Sequence, residues 1–275
     1  KRLFLIKYFN TLIKIKFMEN LLEFPKKRII SIVSGKGGVG KTTLAINLAI
    51  SLSKFNFKTL LLDFNFTTPH ISLKLHSKPI FSLNEFLEGK ANLTEILNPS
   101  YNFFFISPSL NLQDLTNFSI ENLEKLKYSL NNQYFDFVLI DSSPGFGKEA
   151  LLSFSFADEI LIVSNPTYLS LIDSIKCKQL AENLGKKVIG VILNRYSSQA
   201  LREEDFERLL NLDVLGKVSE SKFGKNIEVY GNQLYFVDKK FKEEIDRIAA
   251  KIAGIELKEN LSSQFLNFFR NFWRR

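Results

Sequence analysis

One run of residues, Ser34-Gly35-Lys36-Gly37-Gly38-Val39-Gly40-Lys41-Thr42-Thr43, has the types and spacing to hold a phosphate. From Gly35 to Thr42 it fits G-x-x-x-x-G-K-[ST]. Glycines there let backbone N–H groups curl around phosphate oxygens, and a following helix adds the positive end of its dipole. In that arrangement Lys41 reaches the β and γ phosphates, and the Thr42 hydroxyl ligates Mg²⁺. The same residues also satisfy G-x-G-x-x-G through Gly35, Gly37 and Gly40, with Asp63 at a distance that suits a dinucleotide site. The Lys-Thr pair straight after the last glycine decides for a nucleoside triphosphate, because a nicotinamide site has no use for it.

Such a loop needs a strand before it and a helix after it. Short apolar runs at 29–33, 59–62, 103–106, 137–140, 160–163 and 188–193 each end in Gly, Asp, Ser, Asn or Pro. Runs of this length without strict alternation suit strands buried on both faces of a parallel sheet. Helix-period stretches at 43–55, 120–130, 168–184 and 238–253 lie between or after them. The alternation predicts an α/β fold, a doubly wound, mostly parallel sheet flanked by helices. Ligands of such sheets bind at the carboxyl ends of the strands, so the polar residues after each run are the candidates for chemistry.

Composition narrows the chemistry further. The chain has 275 residues, 45% hydrophobic and 24% charged, which is globular rather than disordered. A single cysteine, Cys177, excludes a disulfide framework, a thiolate zinc site and an iron–sulfur cluster built by one chain. Two histidines, His70 and His76, make a His-rich metal centre a poor reading, and the cysteine usage suits a reducing compartment. The net charge of +8 is not spread evenly. Residues 1–28 hold eight Lys/Arg against Glu19 and Glu23, and residues 258–275 hold four against Glu259. The body between them is therefore close to neutral, at −1, and is no obvious clamp for nucleic acid.

The string GKGGVGKTT resembles the deviant phosphate loop of the MinD/ParA class of P-loop ATPases, marked by an early second lysine, here Lys36. The resemblance implies ATP and Mg²⁺ as ligands and a P-loop NTPase fold. It also implies a homodimer formed on ATP binding, in which Lys36 reaches the partner subunit's phosphates. Gly35, Lys36, Gly37, Gly38, Val39, Gly40, Lys41, Thr42 and Thr43 then surround the nucleotide. Asp63-Phe64-Asn65 stands where relatives carry an Asp-x-Asp first switch, and the second Asp is the residue that positions or deprotonates water. Asn65 can orient water but cannot take up a proton, so hydrolysis with Lys36, Lys41 and Asn65 as the catalytic set is expected to be slow.

Asp141-Ser142-Ser143-Pro144-Gly145 resembles the second switch. It places Asp141 with Thr42 and Asp63 around the metal, and lets the Gly145 backbone approach the γ-phosphate. Asn194 is carried over as the reader of the adenine edge and Arg195 as a residue beside the base. Two departures stand out: His70 replaces a frequent Asn, and Val218 replaces a proline in 215–220. The lone Cys177 reads as helix core and argues against the iron–sulfur carrier branch.

Both tails have a reading of their own. On a helical wheel Leu261, Phe265, Leu266, Phe268, Phe269, Phe272 and Trp273 share one side, and Asn267, Arg270, Asn271, Arg274 and Arg275 the other. Fifteen helical residues span only about 22 Å, too short to cross a bilayer core. The pattern describes an amphipathic helix lying on an anionic membrane surface, and resembles the C-terminal targeting helix of the class. Residues 1–17 are basic and apolar without a secretory pattern. Met18 is read as the natural start and 1–17 as upstream sequence.

The expected organisation is a basic extension at 1–28, an ATPase domain at 29–257 and a membrane-targeting helix at 258–275. The expected activity is a MinD-like ATPase, cytoplasmic and peripherally membrane-bound, that positions division or other machinery with an activating protein partner. A DNA-partitioning ATPase and an ATP-gated scaffold are the alternatives.

Overall fold

The computed structural model describes residues 27–111, 120–197, 199–224 and 233–257. The basic extension and the 258–275 segment lie outside them, apart from Lys27 and Arg28. In chain order the described elements are β1 (Arg28–Val33), α1 (Lys41–Lys54), β2 (Thr59–Phe64), α2 (Ile71–Lys74), α3 (Leu83–Leu87), α4 (Leu93–Ile96), β3 (Asn98–Ser100) and β4 (Phe103–Ile106). They continue with α5 (Ile120–Asn131), β5 (Phe137–Ser142), α6 (Lys148–Phe156), β6 (Glu159–Ser164) and α7 (Tyr168–Asn183). The last are β7 (Lys187–Tyr196), α8 (Glu203–Leu210), β8 (Val214–Ser219), α9 (Leu234–Val237) and α10 (Lys239–Ala253).

The strands form one sheet in the order β3-β4-β2-β5-β1-β6-β7-β8. Every pairing is parallel except the short β3 against β4. The α/β doubly wound reading therefore holds. Each strand's side chains alternate between two cores: Ile29 and Val33 belong to one, Ile30 and Ile32 to the other. Helices α5, α6, α7 and α8 cover the first face, through Leu126, Phe154, Cys177 and Phe206 among others. Helices α1 and α10 cover the second. β1 lies between β5 and β6, so the chain winds away from it in both directions, and the crevice this leaves is where the phosphate loop sits.

α1 is buried almost all round, between the sheet and α10, and its polar residues are correspondingly satisfied. The Asn47 amide donates to Thr43 O at 2.7 Å and accepts from Tyr235 N at 3.0 Å, which pins α9. Ser51 donates to Asp246 of α10 at 2.6 Å, and Tyr235 Oη donates to the same carboxylate oxygen at 2.8 Å. α10 begins where Asp238 accepts from Phe241 N at 3.1 Å and stops at left-handed Gly254 (φ 69°). Its apolar residues Phe241, Ile245, Ile248, Ala249 and Ile252 repeat at helical spacing and face the sheet.

β8 was not anticipated from the sequence, because Gly216 and Lys217 break its apolar run. Gly216 stands there because a Cβ would run into Ile248 of α10. β7 also runs past the expected end at Leu193 to Tyr196, so Asn194 and Arg195 lie within the strand, with Arg195 in the left-handed region (φ 55°).

Phe64, the last residue of β2, is fully buried with its ring 5.2 Å from Phe66 and 5.1 Å from Phe156. It anchors the strand that delivers Asp63. Phe64→Ala is expected to lower unfolding free energy by about 3–5 kcal/mol, read as a fall in the urea midpoint of the nucleotide-free chain.

Candidate nucleotide site

The loops after β1, β2 and β5, the end of β7 and the loop after β8 meet at one end of the sheet. After β1 the chain turns through Gly35–Gly40 into α1. Gly40 is left-handed (φ 96°), and a Cβ on it would collide with the Asn194 amide. That amide donates to Val39 O at 2.7 Å, so β7 holds the loop down. A Cβ on Gly35 would strike Asp173 of α7. The second switch is tied on as well: Gly145 N, at φ 77°, donates to Ser34 O at 3.0 Å.

The two lysines of the loop are held differently. Lys41 is 7% exposed, and its ammonium donates to Ser34 Oγ at 2.8 Å; Ser34 in turn donates to Lys36 O at 2.7 Å. Burial lowers the Lys41 pKa, against the opposing pull of Asp141. Lys36 is half-buried, and among the described residues its ammonium has no hydrogen-bond or ion-pair partner.

Asp63 and Asp141 face each other in the register of β2 against β5, and both are buried. Burial pushes the Asp63 carboxyl up to about 8, with the Asp141 charge adding to the rise and three backbone N–H groups opposing it. Burial lifts Asp141 to about 6, against the Thr42 hydroxyl hydrogen bond and the charges of Lys41 and Lys74. Their oxygens are used differently. Asp63 accepts from Asn65 N on one oxygen and from His70 N and Ile71 N on the other, each at 3.0 Å. It therefore holds its own loop and the start of α2. Asp141 Oδ1 is buried and has no partner, and the Thr42 hydroxyl lies close enough to the same carboxylate to lower its pKa. An orphaned carboxylate oxygen beside a threonine hydroxyl is the hard-oxygen donor set that Mg²⁺ takes alongside phosphate. Thr42 and Asp141 fit the metal; Asp63, also expected there, has its oxygens engaged by backbone donors.

Asn65 lies beside the second switch. Its Oδ1 is 3.1 Å from Thr68 Oγ1 and 3.3 Å from Ser143 Oγ, and its amide nitrogen is 3.4 Å from exposed His70 Nδ1. Next to the phosphate loop a cavity of about 840 Å³ is lined by Gly40, Thr43, Asn194, Arg195, Ser219 and Lys222, among others. Glu244 of α10 fixes its rim, accepting from Ser219 N and Ser219 Oγ at 2.8 Å each.

The ParA family, described as NUBPL iron-transfer P-loop NTPase, matches residues 26–222, most of the chain. The chain belongs to the MinD/ParA family of P-loop ATPases. It is 31% identical over 250 residues to an uncharacterised ATP-binding protein of Methanocaldococcus jannaschii, covering 88% of this chain and 94% of that one. Among solved structures it is similar to the septum site-determining protein MinD of Pyrococcus horikoshii complexed with Mg-ADP. That likeness has 27% identity and a TM-score of 0.76 over 82% of this chain and 96% of that one. It is also similar to the MinC:MinD cell division protein complex of Aquifex aeolicus, at 26% identity and a TM-score of 0.73 over 85% and 98%.

Several residues of the site carry no signal in the MinD/ParA motifs. Glu149, in the first turn of α6, accepts from Thr67 N at 3.0 Å and from the hydroxyls of Thr67 and Ser143, and so joins both switches. By position alone it is an ordinary acidic residue at a helix N-terminus. Glu244 is likewise indistinguishable in sequence from the charged face of α10.

The raised carboxyl pair has a pH consequence. The folded chain binds protons here more tightly than the unfolded chain, whose carboxyls titrate near 4. The pair's contribution is fully present below about pH 4 and is lost as pH rises through about 6 and about 8. Without nucleotide, the wild-type Tm is expected to fall relative to that of Asp141→Asn between pH 5 and 8. A constant difference across that range would count against the raised carboxyl pair.

Proposed function

We propose that this chain is a MinD-like ATPase that binds Mg-ATP, dimerises on it and attaches reversibly to membrane, positioning division or other cellular machinery. The observation that carries the reading is the arrangement of the two loop lysines. Lys41 is drawn into the loop beside Asp141, while the Lys36 ammonium is left without a partner among the described residues. A cation so placed suits phosphates held by a second subunit. Exposed Phe146 and Leu151 on the unit after β5, with Tyr168, Leu169 and Ile172 on the unit after β6, suit a partner covering that end.

In this reading Gly35–Thr43 cradle the phosphates, Thr42 and Asp141 hold the metal, and Gly145 presents its backbone to the γ-phosphate. Asp63 maintains the loop that carries Asn65. Bound Mg²⁺ supplies charge neutralisation between the β and γ phosphates. Asn65 orients the attacking water without accepting its proton, and turnover is accordingly slow. Asn194, Arg195 and the rim at Ser219–Lys222 surround the base. The iron transfer named in the family description is not adopted, since Cys177 is the sole cysteine and is buried.

The domain is assigned to 29–257 and the membrane contact to the helical pattern at 261–275. Among the described residues no helix is long and apolar enough to cross a membrane. One short amphipathic helix binds lipid marginally and two bind it stably, so dimerisation acts as the switch. Asn65 favours a second reading, an ATP-gated scaffold that binds without turning over. DNA partitioning is disfavoured by the charge of the body.

The test is co-sedimentation with anionic liposomes in ATP and in ADP, using the full chain, a chain ending at Asn260, and Lys36→Ala. ATP-dependent pelleting is expected only for the full chain. Lys36→Ala is expected to keep nucleotide affinity within about threefold and to lose ATP-dependent dimers in light scattering. Pelleting in neither nucleotide would overturn the membrane role, and retention on DNA at moderate salt would favour partitioning.

A further inference from the structure

The contacts of Glu149 point to a role that no motif assigns. Its carboxylate lies between the two switch loops, with one oxygen accepting from Thr67 N at 3.0 Å and from the Thr67 hydroxyl. The other oxygen accepts from Ser143 Oγ. Ser143 has a single proton and three acceptors within reach: Glu149, Phe64 O at 3.1 Å and Asn65 Oδ1 at 3.3 Å. A carboxylate is the strongest of the three, so the proton goes to Glu149. Asn65 Oδ1 then receives only the Thr68 hydroxyl, at 3.1 Å, and keeps a lone pair. That lone pair is what an amide needs to accept a hydrogen bond from a water.

From this juxtaposition we infer that Glu149 is a positioning residue for ATP hydrolysis. It latches the loop after β2 to the loop after β5, and by taking the Ser143 proton keeps Asn65 Oδ1 open to the attacking water. The inference rests on the ATPase reading above. Without Glu149, Thr67 loses its acceptor and Ser143 turns its proton toward Asn65 or Phe64 O. The water-orienting oxygen is then both less fixed and partly occupied. Glutamine at the same place retains an oxygen for Thr67 and donates its N–H to Ser143 Oγ, so the loop stays latched, but it cannot take the Ser143 proton, which turns toward Asn65 or Phe64 O.

The experiment compares full-length wild type, Glu149→Ala, Glu149→Gln and Thr67→Val in three measurements. These are kcat at saturating Mg-ATP, ADP affinity by calorimetry, and hydrogen exchange of amides in 64–70. Glu149→Ala is expected to lower kcat about tenfold or more with ADP affinity within twofold, and to speed exchange at Thr67. Glu149→Gln is expected to keep Thr67 protected while kcat stays between wild type and Glu149→Ala, because Asn65 Oδ1 is partly occupied; Thr67→Val, which keeps the Thr67 N–H bond, lies nearer wild type. A wild-type kcat in Glu149→Gln would overturn the claim that taking the Ser143 proton keeps Asn65 open, and a Glu149→Gln as slow as Glu149→Ala with Thr67 still protected would overturn the latch as a contributor to kcat. Unchanged kcat and exchange in Glu149→Ala overturns it as well. A wild type that binds nucleotide without turnover would sink the ATPase reading, and the exchange arm would still decide whether Glu149 holds the loop. Should Glu149→Ala fail to fold, Glu149→Gln decides: unchanged kcat there overturns the proposal.

Discussion

The register of β2 against β5 sets two carboxylates, Asp63 and Asp141, side by side in a buried layer, and much of the site follows from that placement. Two neighbouring buried carboxylates repel each other and resist ionisation. The fold offsets this in two different ways. Around Asp63 it wraps a loop so tightly that three backbone N–H groups point at the carboxylate. Around Asp141 it places the Thr42 hydroxyl and the Lys41 charge but leaves one oxygen unpaired. The first solution fixes a loop; the second leaves a place for a cation. The asymmetry gives the two aspartates different work although both close parallel strands.

The same economy of polar groups runs through the loops. Ser34 links Lys41 to the Lys36 carbonyl, the Asn194 amide clamps the Val39 carbonyl, and the Gly145 N–H reaches the Ser34 carbonyl. The Asn194 and Gly145 bonds tie the end of β7 and the loop after β5 to the loop after β1, while the Ser34 bonds brace that loop from within. The loop is thus shaped by its surroundings as well as by its glycines. Behind it α1 is held by buried hydrogen bonds from Asn47 and Ser51 to α9 and α10, which fix the helix whose first turn carries Lys41, Thr42 and Thr43. Rigid support of this kind keeps a positioned constellation from loosening.

What could be read from sequence divides along physical lines. The phosphate loop and the positions of the strand-end aspartates were legible because particular residue types stand there at fixed spacing along the chain, but the backbone bonds that make Asp63 hold its own loop were not. The buried strands were legible because burial on both faces forces continuous apolar runs. β8 was not, because α10 crosses it so closely that Gly216 replaces an apolar residue. Glu149 and Glu244 were not, because each acts across the fold on a backbone or hydroxyl far away in sequence, and a glutamate on a helix carries no mark of what it faces. Asn194 was found through family likeness, and its amide turns out to clamp the Val39 carbonyl of the phosphate loop.

The position of the last described residues also bears on the proposed membrane reading. Arg28, at the start of β1, bonds the Ile252 carbonyl near the end of α10, and Gly254 ends that helix there. The chain therefore leaves the described domain at Leu257, at the amino end of the sheet, while the phosphate loop lies at the carboxyl end. A nucleotide at the phosphate loop is thus separated from Leu257 by the length of β1. In the proposed dimer no direct path is needed: closing one nucleotide face against another would fix the relation between the two Leu257 positions at once. In the proposed reading, coupling of ATP to lipid would rest on rigidity of the sheet between its two ends, to which the hydrogen bonds that hold α1 to α10 contribute.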